Sequence, residues 1–400
     1  MISVREALCR VLDRIVALSP PELVPVGHAL GRVTAEDVRA AADVPPTDNS
    51  AVDGYAVGGA DVPAAGAREL EVVADLAAGA VFTRALEPGQ ALRIMTGAPM
   101  PVGADTVYPQ EVVERCGARV RVGPLGRGAN VRRRGEDVQA GQVVVPAGTV
   151  VRPQEMGVVA SLGRPQLLVR QRPRVAVLST GDEVVEPGDP RRPGQIYDSN
   201  RFTLRGLVEA AGGAAEDHGI APDRADELLG RLTAAAARAD LVLTSGGVSV
   251  GDHDLVKAVL RDAGGIDFWQ VAMQPGRPVA VGRIGAALFF GLPGNPVASM
   301  LTFHLFVRPA LWKLLGRPDL MVPGFDAVAT EPLRKKAGRR EFKRGILAYR
   351  DGRWEVRTTG PQGSGILTSM TQASCFIVLD EDRGDVSPGE TVRVEPFASA

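Results

Sequence analysis

Asp240-Leu-Val-Leu-Thr-Ser-Gly-Gly-Val-Ser249, continued by Val250-Gly-Asp-His-Asp254, is the stretch that decides the reading of this chain. Leu241, Val242 and Leu243 form a short apolar run of the kind buried in a sheet, and it stops at a Thr-Ser-Gly-Gly turn. Beyond Asp254, the residues Leu255, Val256, Val259 and Leu260 recur at helical spacing. A strand, a glycine turn and a helix start together make an anion site, because the first N–H groups of a helix have no partner within it. Gly246 and Gly247 lack the Cβ atoms that would hold a phosphate away. Asp252 and Asp254 beside them would repel a bare phosphate, which points to a bridging cation, Mg²⁺ above all. The plainer alternative is a tight turn with Asp254 as a helix cap.

The same architecture recurs. Val175-Ala-Val-Leu178 ends at Ser179-Thr-Gly-Asp-Glu183. Ala287-Leu-Phe-Phe290 ends at Gly291-Leu-Pro-Gly-Asn-Pro296, ahead of a helical pattern over 297–315. Three apolar strands with polar, glycine-rich carboxyl ends imply one open parallel sheet, whose ligands bind outside those ends. Asp182, Glu183, Asp252 and Asp254 then converge on one cleft.

The 400 residues exceed the usual size of one domain, and 45% apolar content supplies the cores. A net charge of −1 argues against a general nucleic-acid binder. Cys9, Cys116 and Cys375 lie far apart with no CxxC, which fits a reducing compartment and argues against structural zinc. The four histidines form no metal-binding pair. Residues 1–18 carry Glu6 and Asp13 among apolar residues at helical spacing, an amphipathic helix rather than a secretory signal. No uncharged apolar run reaches the roughly 18 residues of a membrane span, so a soluble, cytoplasmic protein with no membrane role is expected.

Along the chain, residues 48–139 alternate in short runs broken by glycine and proline, the pattern of an all-β domain. Strand-like residues 143–151 precede a helical segment over 153–162. The doubly wound domain covers 172–322, with helices at 199–211 and 225–239. Beyond Pro323 the pattern returns to β, at 325–330, 342–349, 354–357, 375–379 and 391–394.

Other segments carry polar density without deciding a chemistry. Asp48-Asn-Ser-Ala-Val-Asp-Gly-Tyr-Ala56 reads as a turn with capping groups. Gln274-Pro-Gly-Arg-Pro278 is a rigid turn that presents one cation, Arg277. Residues 334–344 hold seven basic residues and one acid, either a solvated edge or a subsite for a tetrahedral anion.

Taken in order, these segments resemble the molybdopterin molybdenumtransferase family, the MoeA-type proteins that include the gephyrin E-domain. The resemblance rests on Pro45-Pro-Thr-Asp-Asn-Ser-Ala-Val-Asp-Gly-Tyr-Ala56, Ile94-Met-Thr-Gly-Ala98, Gly135-Glu-Asp137 and Ser179-Thr-Gly-Asp-Glu183. It continues through Tyr197-Asp-Ser-Asn200, 244–254, 274–278, 291–296 and Gly363-Ser-Gly365. It implies a multidomain α/β plus β fold. An elongated discontinuous domain (1–44 with 140–171) carries a β-rich lid (45–139), a doubly wound three-layer α/β domain for molybdopterin (172–322) and a C-terminal β-barrel (323–400). It also implies a homodimer with its active site between subunits.

The implied reaction inserts molybdate into the dithiolene of adenylylated molybdopterin, with Mg²⁺-dependent pyrophosphate cleavage and release of AMP. By resemblance, Glu183 and Asp254 hold Mg²⁺, with Asp182 and Asp252 behind them, and Asp53, Thr96, Asp137 and Asp223 match positions important for catalysis. Ser179, Thr180, Gly181, Ser245, Gly246, Gly247, Ser249, Gly294 and Asn295 line the pterin and phosphate site. Arg277, Ser299, Arg344 and Ser364 hold molybdate. Thr47, where an aromatic is common, Gln274, where a lysine is usual, and Ala373-Ser374 depart from the pattern. Implied protein partners are the molybdopterin adenylyltransferase and molybdoenzyme apoproteins. The alternatives are the adenylyltransferase itself, which lacks the lid motifs and barrel, and a non-catalytic molybdopterin-binding scaffold.

Overall fold

The computed structural model describes residues 1–15, 18–77, 79–246 and 265–397. Its centre is a six-stranded sheet in the order Ala214–Ala221, Arg174–Thr180, Leu241–Ser245, Ala287–Leu292, Pro278–Ile284, Asp267–Gln270. The first four strands are parallel, and the fifth, Pro278–Ile284, runs antiparallel to both its neighbours. The three inner parallel strands are buried on both faces, as their unbroken apolar runs require, while the edge strand Ala214–Ala221 is half-buried. Val175, Val177, Leu241, Leu243 and Phe290 point into one core, against helix Asn200–Ala210 and the helical segment beginning at Pro296. Ala176, Leu178, Val242 and Phe289 point into the other, against helix Ala225–Ala236. This is the expected three-layer doubly wound arrangement.

Two features differ from the sequence expectation. The pattern over 297–315 predicts one helix, but α-helical Pro296–Thr302 and Arg308–Leu314 flank a π-helical stretch, Phe303–Val307. Pro309 has no N–H for an ordinary turn, and the Arg308 N–H reaches back to the Phe303 carbonyl instead. The second concerns residues 1–44, grouped above with the elongated domain. Helix Val4–Asp13 puts Val4, Ala7 and Val11 into the core of the α/β sheet, and Ile2 pairs with Val271. Amphipathic spacing reveals a buried face but not the surface that buries it.

The rest is β-rich. Strands Pro21–Pro25 and Gln166–Arg170 pair antiparallel, as do Val38–Arg39 and Val143–Val145, so two distant chain segments share one small core around Val151, Val159 and Leu167. Between them in sequence lies a second six-stranded sheet, ordered Thr106–Pro109, Gly54–Val57, Gln90–Ile94, Arg68–Leu76, Arg119–Val122, Glu114–Cys116. Its residues alternate between two apolar clusters, Tyr55 and Val57 on one face and Ala56 and Leu92 on the other.

At the C-terminal end, Arg340–Arg350, Arg353–Thr358, Phe325–Ala329, Thr391–Pro396 and Cys375–Leu379 close into a five-stranded barrel when the last pairs again with the first. One further pairing positions the site. Met273–Gln274 adds parallel to the long barrel strand, Met273 opposite Arg340 and Gln274 opposite Glu341, which pins the Gln274–Pro278 turn between sheet and barrel.

Candidate active site

The site forms where the parallel sheet changes direction. The chain runs from Arg174–Thr180 to Ala214–Ala221 on one side and later enters Leu241–Ser245 on the other, so two adjacent carboxyl ends face one crevice. Thr180 and Ser245 end those strands, both buried, and the Thr180 hydroxyl donates to the Ser245 carbonyl at 3.4 Å. Gly246 follows at φ 95°, its N–H donating to the Leu292 carbonyl at 3.0 Å. A Cβ there would lie 3.0 Å from both the Thr180 carbonyl oxygen and its hydroxyl, so the turn needs glycine on two counts.

Asn200 ties the crevice together. Its amide nitrogen donates to Ser245 Oγ and to the Gly294 carbonyl, each at 2.7 Å. One side chain thereby joins the loops that follow two neighbouring strands. Across the crevice, the Asp223 N–H donates to an Asp182 carboxylate oxygen at 3.1 Å, linking the loops that follow Arg174–Thr180 and Ala214–Ala221.

A cavity of about 700 Å³ opens from this crevice toward the barrel, with Glu183, Gly246, Arg277, Gly294, Asn295 and Ser364 among its walls. Glu183 and Arg277 are exposed to it, and among the described residues neither side chain has an ion-pair partner. The barrel's 361–364 loop closes one wall, held by a hydrogen bond from the Val297 N–H to the Ser364 carbonyl at 3.1 Å.

A separate polar cluster sits at the edge of the lid sheet, where three of the sequence motifs meet. Ser50 pairs with Val131 and Asn49 with Arg132, while the Gly97 N–H donates to the Ser50 carbonyl. Asp53 Oδ1 accepts hydrogen bonds from the Thr96 hydroxyl and the Thr96 N–H, both 2.7 Å. Those two bonds, the hydroxyl first, lower the Asp53 pKa below the usual carboxylate value and keep it ionised at neutral pH. Asp137 is exposed and lines a hollow of about 480 Å³ with Asn49 and Arg132.

Three family descriptions match the chain in order. The MoeA N-terminal region (domain I and II) matches residues 2–163, a probable molybdopterin binding domain 176–313, and the MoeA C-terminal region (domain IV) 326–397. The molybdopterin molybdenumtransferase of Haemophilus influenzae is 41% identical over 401 residues, covering 99% of both chains. The chain belongs to the molybdopterin molybdenumtransferase (MoeA) family. Molybdopterin molybdenumtransferase 2 of Mycobacterium tuberculosis is 39% identical over 96% of this chain and 97% of its own. A crystal structure of the molybdopterin biosynthesis moeA protein from Pyrococcus horikoshii OT3 superposes with a TM-score of 0.87 at 32% identity, covering 99% of this chain and all of that one.

Within this MoeA fold, the site residues expected from sequence separate into groups. Glu183, Gly246, Arg277, Gly294, Asn295 and Ser364 share the cavity, with Thr180, Gly181 and Ser245 beneath it. Asp53 and Thr96 are bonded to each other in the lid. Gly247, Ser249, Asp252 and Asp254 lie outside the described residues.

Arg344, expected by resemblance at the molybdate site, lies within the barrel wall. Its guanidinium is buried under the 361–364 loop, donating to Ser369 Oγ at 2.9 Å and to the carbonyls of Gln362, Gly363 and Pro361 at 3.0, 3.0 and 3.2 Å. Those bonds brace the 361–363 loop, which forms part of the cavity wall. Ser179 and Ser299 are likewise buried, and neither hydroxyl finds a partner among the described residues.

The geometry brings forward two residues outside the expected site set, Asn200 and Arg339. Asn200 stands in a quoted motif at the start of a helix, which was its only signal. Arg339 lines the cavity from within the basic run 334–344.

Proposed function

We propose that the chain is a molybdopterin molybdenumtransferase: it inserts molybdate into the dithiolene of adenylylated molybdopterin, cleaves the pyrophosphate and releases AMP. The observation that carries this reading is the cavity at the switch point. It combines a glycine turn that admits phosphate, a carboxylate at Glu183, a guanidinium at Arg277 with no ion-pair partner among the described residues, and a hydroxyl from the barrel at Ser364. A planar pterin with a phosphate tail needs such a crevice outside strand ends, and a tetrahedral dianion needs the cation and hydroxyl.

Among the described residues no cluster of three or more metal-binding side chains occurs. A single carboxylate beside a phosphate site still fits Mg²⁺, which takes one or two carboxylates and fills its shell with phosphate oxygens and water. Glu183 would hold it, and when bound it supplies neutralisation of charge on the bridging and leaving oxygens. The chain's own residues do the positioning. Asn200 fixes the Ser245 and Gly294 loops against each other, and Arg277 and Ser364 orient molybdate. In the lid, Thr96 occupies Asp53 Oδ1, which leaves Oδ2 to orient a reacting hydroxyl or water.

No hydrogen bond or ion pair among the described residues links the Asp53–Thr96 cluster to the cavity. We place that cluster over the cavity of a second copy, so the working unit is a homodimer. In this reading the protein acts in the cytoplasm. It takes its substrate from the molybdopterin adenylyltransferase and passes its product to molybdoenzyme apoproteins. No helix among the described residues is long and apolar enough to cross a membrane.

The test is AMP release from adenylylated molybdopterin with Mg²⁺, molybdate either supplied or withheld. Molybdate-dependent AMP release is expected. Tight binding of the substrate without AMP release under both conditions would replace the transferase with a scaffold.

A further inference from the structure

A second hollow, about 690 Å³, lies on the barrel rim beside the reaction cavity. Its lining carries five cations, Arg334, Lys335, Lys336, Arg339 and Lys343, against two carboxylates, Glu341 and Asp385. Both carboxylates are already paired, Asp385 with Arg334 at 2.7 Å and Glu341 with Lys343 at 2.8 Å. The other three cations are not neutralised. Lys335 is buried at 6% exposure, and its ammonium donates to the carbonyls of Arg383 at 2.8 Å and of Lys336 and Glu381 at 3.4 Å. Carbonyl oxygens orient an ammonium but leave its charge in place. Lys336 and Arg339 have no acidic partner among the described residues. In a chain whose net charge is −1, this is a local concentration of positive field in a concave surface.

We propose that this hollow is a second oxyanion site, which holds a tetrahedral dianion outside the reaction cavity and delivers it inward. The proposal deepens the transferase reading and rests on it for the identity of the anion, molybdate. A small anion suits the hollow better than a polymer does, because no aromatic side chain lines it for base stacking. Delivery follows from shared walls. Gln274 and Arg339 line both the hollow and the cavity that contains Arg277. The pairing of Gln274 with Glu341 fixes that common wall to the barrel strand. Gln274 is neutral, so among the described residues Arg339 is the one cation on the wall that the two sites share. An anion can therefore cross from Lys336 to Arg277 by way of Arg339 without being trapped midway.

The AMP phosphate is also a tetrahedral dianion, so the experiment separates incoming molybdate from outgoing nucleotide. Molybdate binding to the full chain is measured by equilibrium dialysis at low ionic strength, without turnover. Two molybdates per chain are expected. Lys336→Ala should weaken one of them about fivefold, the loss of one partly exposed charge interaction, and leave the other unchanged. Arg277→Ala should do the reverse. In steady state, Lys336→Ala should raise the KM for molybdate with kcat unchanged.

A single molybdate per chain that Lys336→Ala does not affect overturns the site. A hollow that takes AMP in preference to molybdate overturns the delivery role. Because dialysis reads binding alone, absence of AMP release in the transferase assay would leave this result standing, and the converse holds too.

Discussion

Truncating Arg344 tests whether this buried cation is an anion ligand or the keystone of a loop. The side chain is 1% exposed, and three consecutive carbonyls, those of Pro361, Gln362 and Gly363, converge on it. Ser369 Oγ takes the remaining Nε donor. Burial lowers the guanidinium pKa from its usual value, the electrostatic cost that those acceptors offset. A hydrogen bond from a charged donor contributes about 1.5–3 kcal/mol, and a stranded buried acceptor costs about 1–3 kcal/mol. Pro361 and Gly363 are exposed residues, so water can rescue part of the loss in Arg344→Ala. The net expectation is about 3–5 kcal/mol. At roughly 2–4 °C per kcal/mol, melting should fall on the order of 10 °C.

Arg344→Lys keeps the charge but loses the planar fork, and should recover less than about half of that loss. Calorimetric melting of the full chain, run beside molybdate dialysis, reads both effects. In the loop reading, molybdate binding weakens only because Ser364 is displaced, and both variants melt early. If Arg344→Ala melts within about 1 °C of the unmodified chain while molybdate binding drops more than tenfold, the guanidinium contacts the anion and the reasoning here is wrong.

Two other predictions concern positioning and pH. Asn200→Ala removes the clamp between Ser245 and Gly294 and should cost about 1–2 kcal/mol of stability. It should also lower kcat/KM roughly tenfold; Asn200→Asp should be worse, since a carboxylate would face the Gly294 carbonyl, and an Asp variant with full activity would remove the clamp from the mechanism. Glu155 caps helix Pro153–Ser161, and hydrogen bonds from the Arg152 side chain lead the effects that push its pKa down to about 2. A depressed pKa means the stabilisation is present above the unfolded value of about 4.3 and drains away as pH falls toward 2. Because Arg152 is exposed, Glu155→Gln should cost only about 1 kcal/mol at pH 7. Urea midpoints of the two proteins should converge near pH 2; a constant gap down to that pH would show that ionisation is irrelevant to the cap.

Much of the fold could be read directly from the chain because burial leaves a periodic trace. Leu241 to Leu243 and Ala287 to Phe290 are unbroken apolar runs because parallel strands are covered on both faces. The lid strands alternate because each face meets a different cluster, as Tyr55 and Ala56 do. Partners left a weaker trace. The docking of helix Val4–Asp13 on the α/β core depends on tertiary placement that spacing alone does not encode. The π stretch before Pro309 left no trace in the spacing, because a helical pattern tolerates a wider turn without losing its apolar face.

Two arginines of the basic run, Arg339 and Arg344, show where residue chemistry stops and geometry takes over. Arg339 and Arg344 lie five positions apart, and by composition either could serve an oxyanion. Parity separates them. Arg344 lies in strand Arg340–Arg350 two residues after Phe342, so both side chains emerge on the same, buried side. An inward guanidinium must find acceptors within the fold, and the 361–363 carbonyls provide them. Arg339 precedes the first residue of that strand and has no such obligation, so its charge remains available to the cavity wall it forms. A cation that the fold has already satisfied holds a site open, while one that the fold leaves unsatisfied can bind what enters.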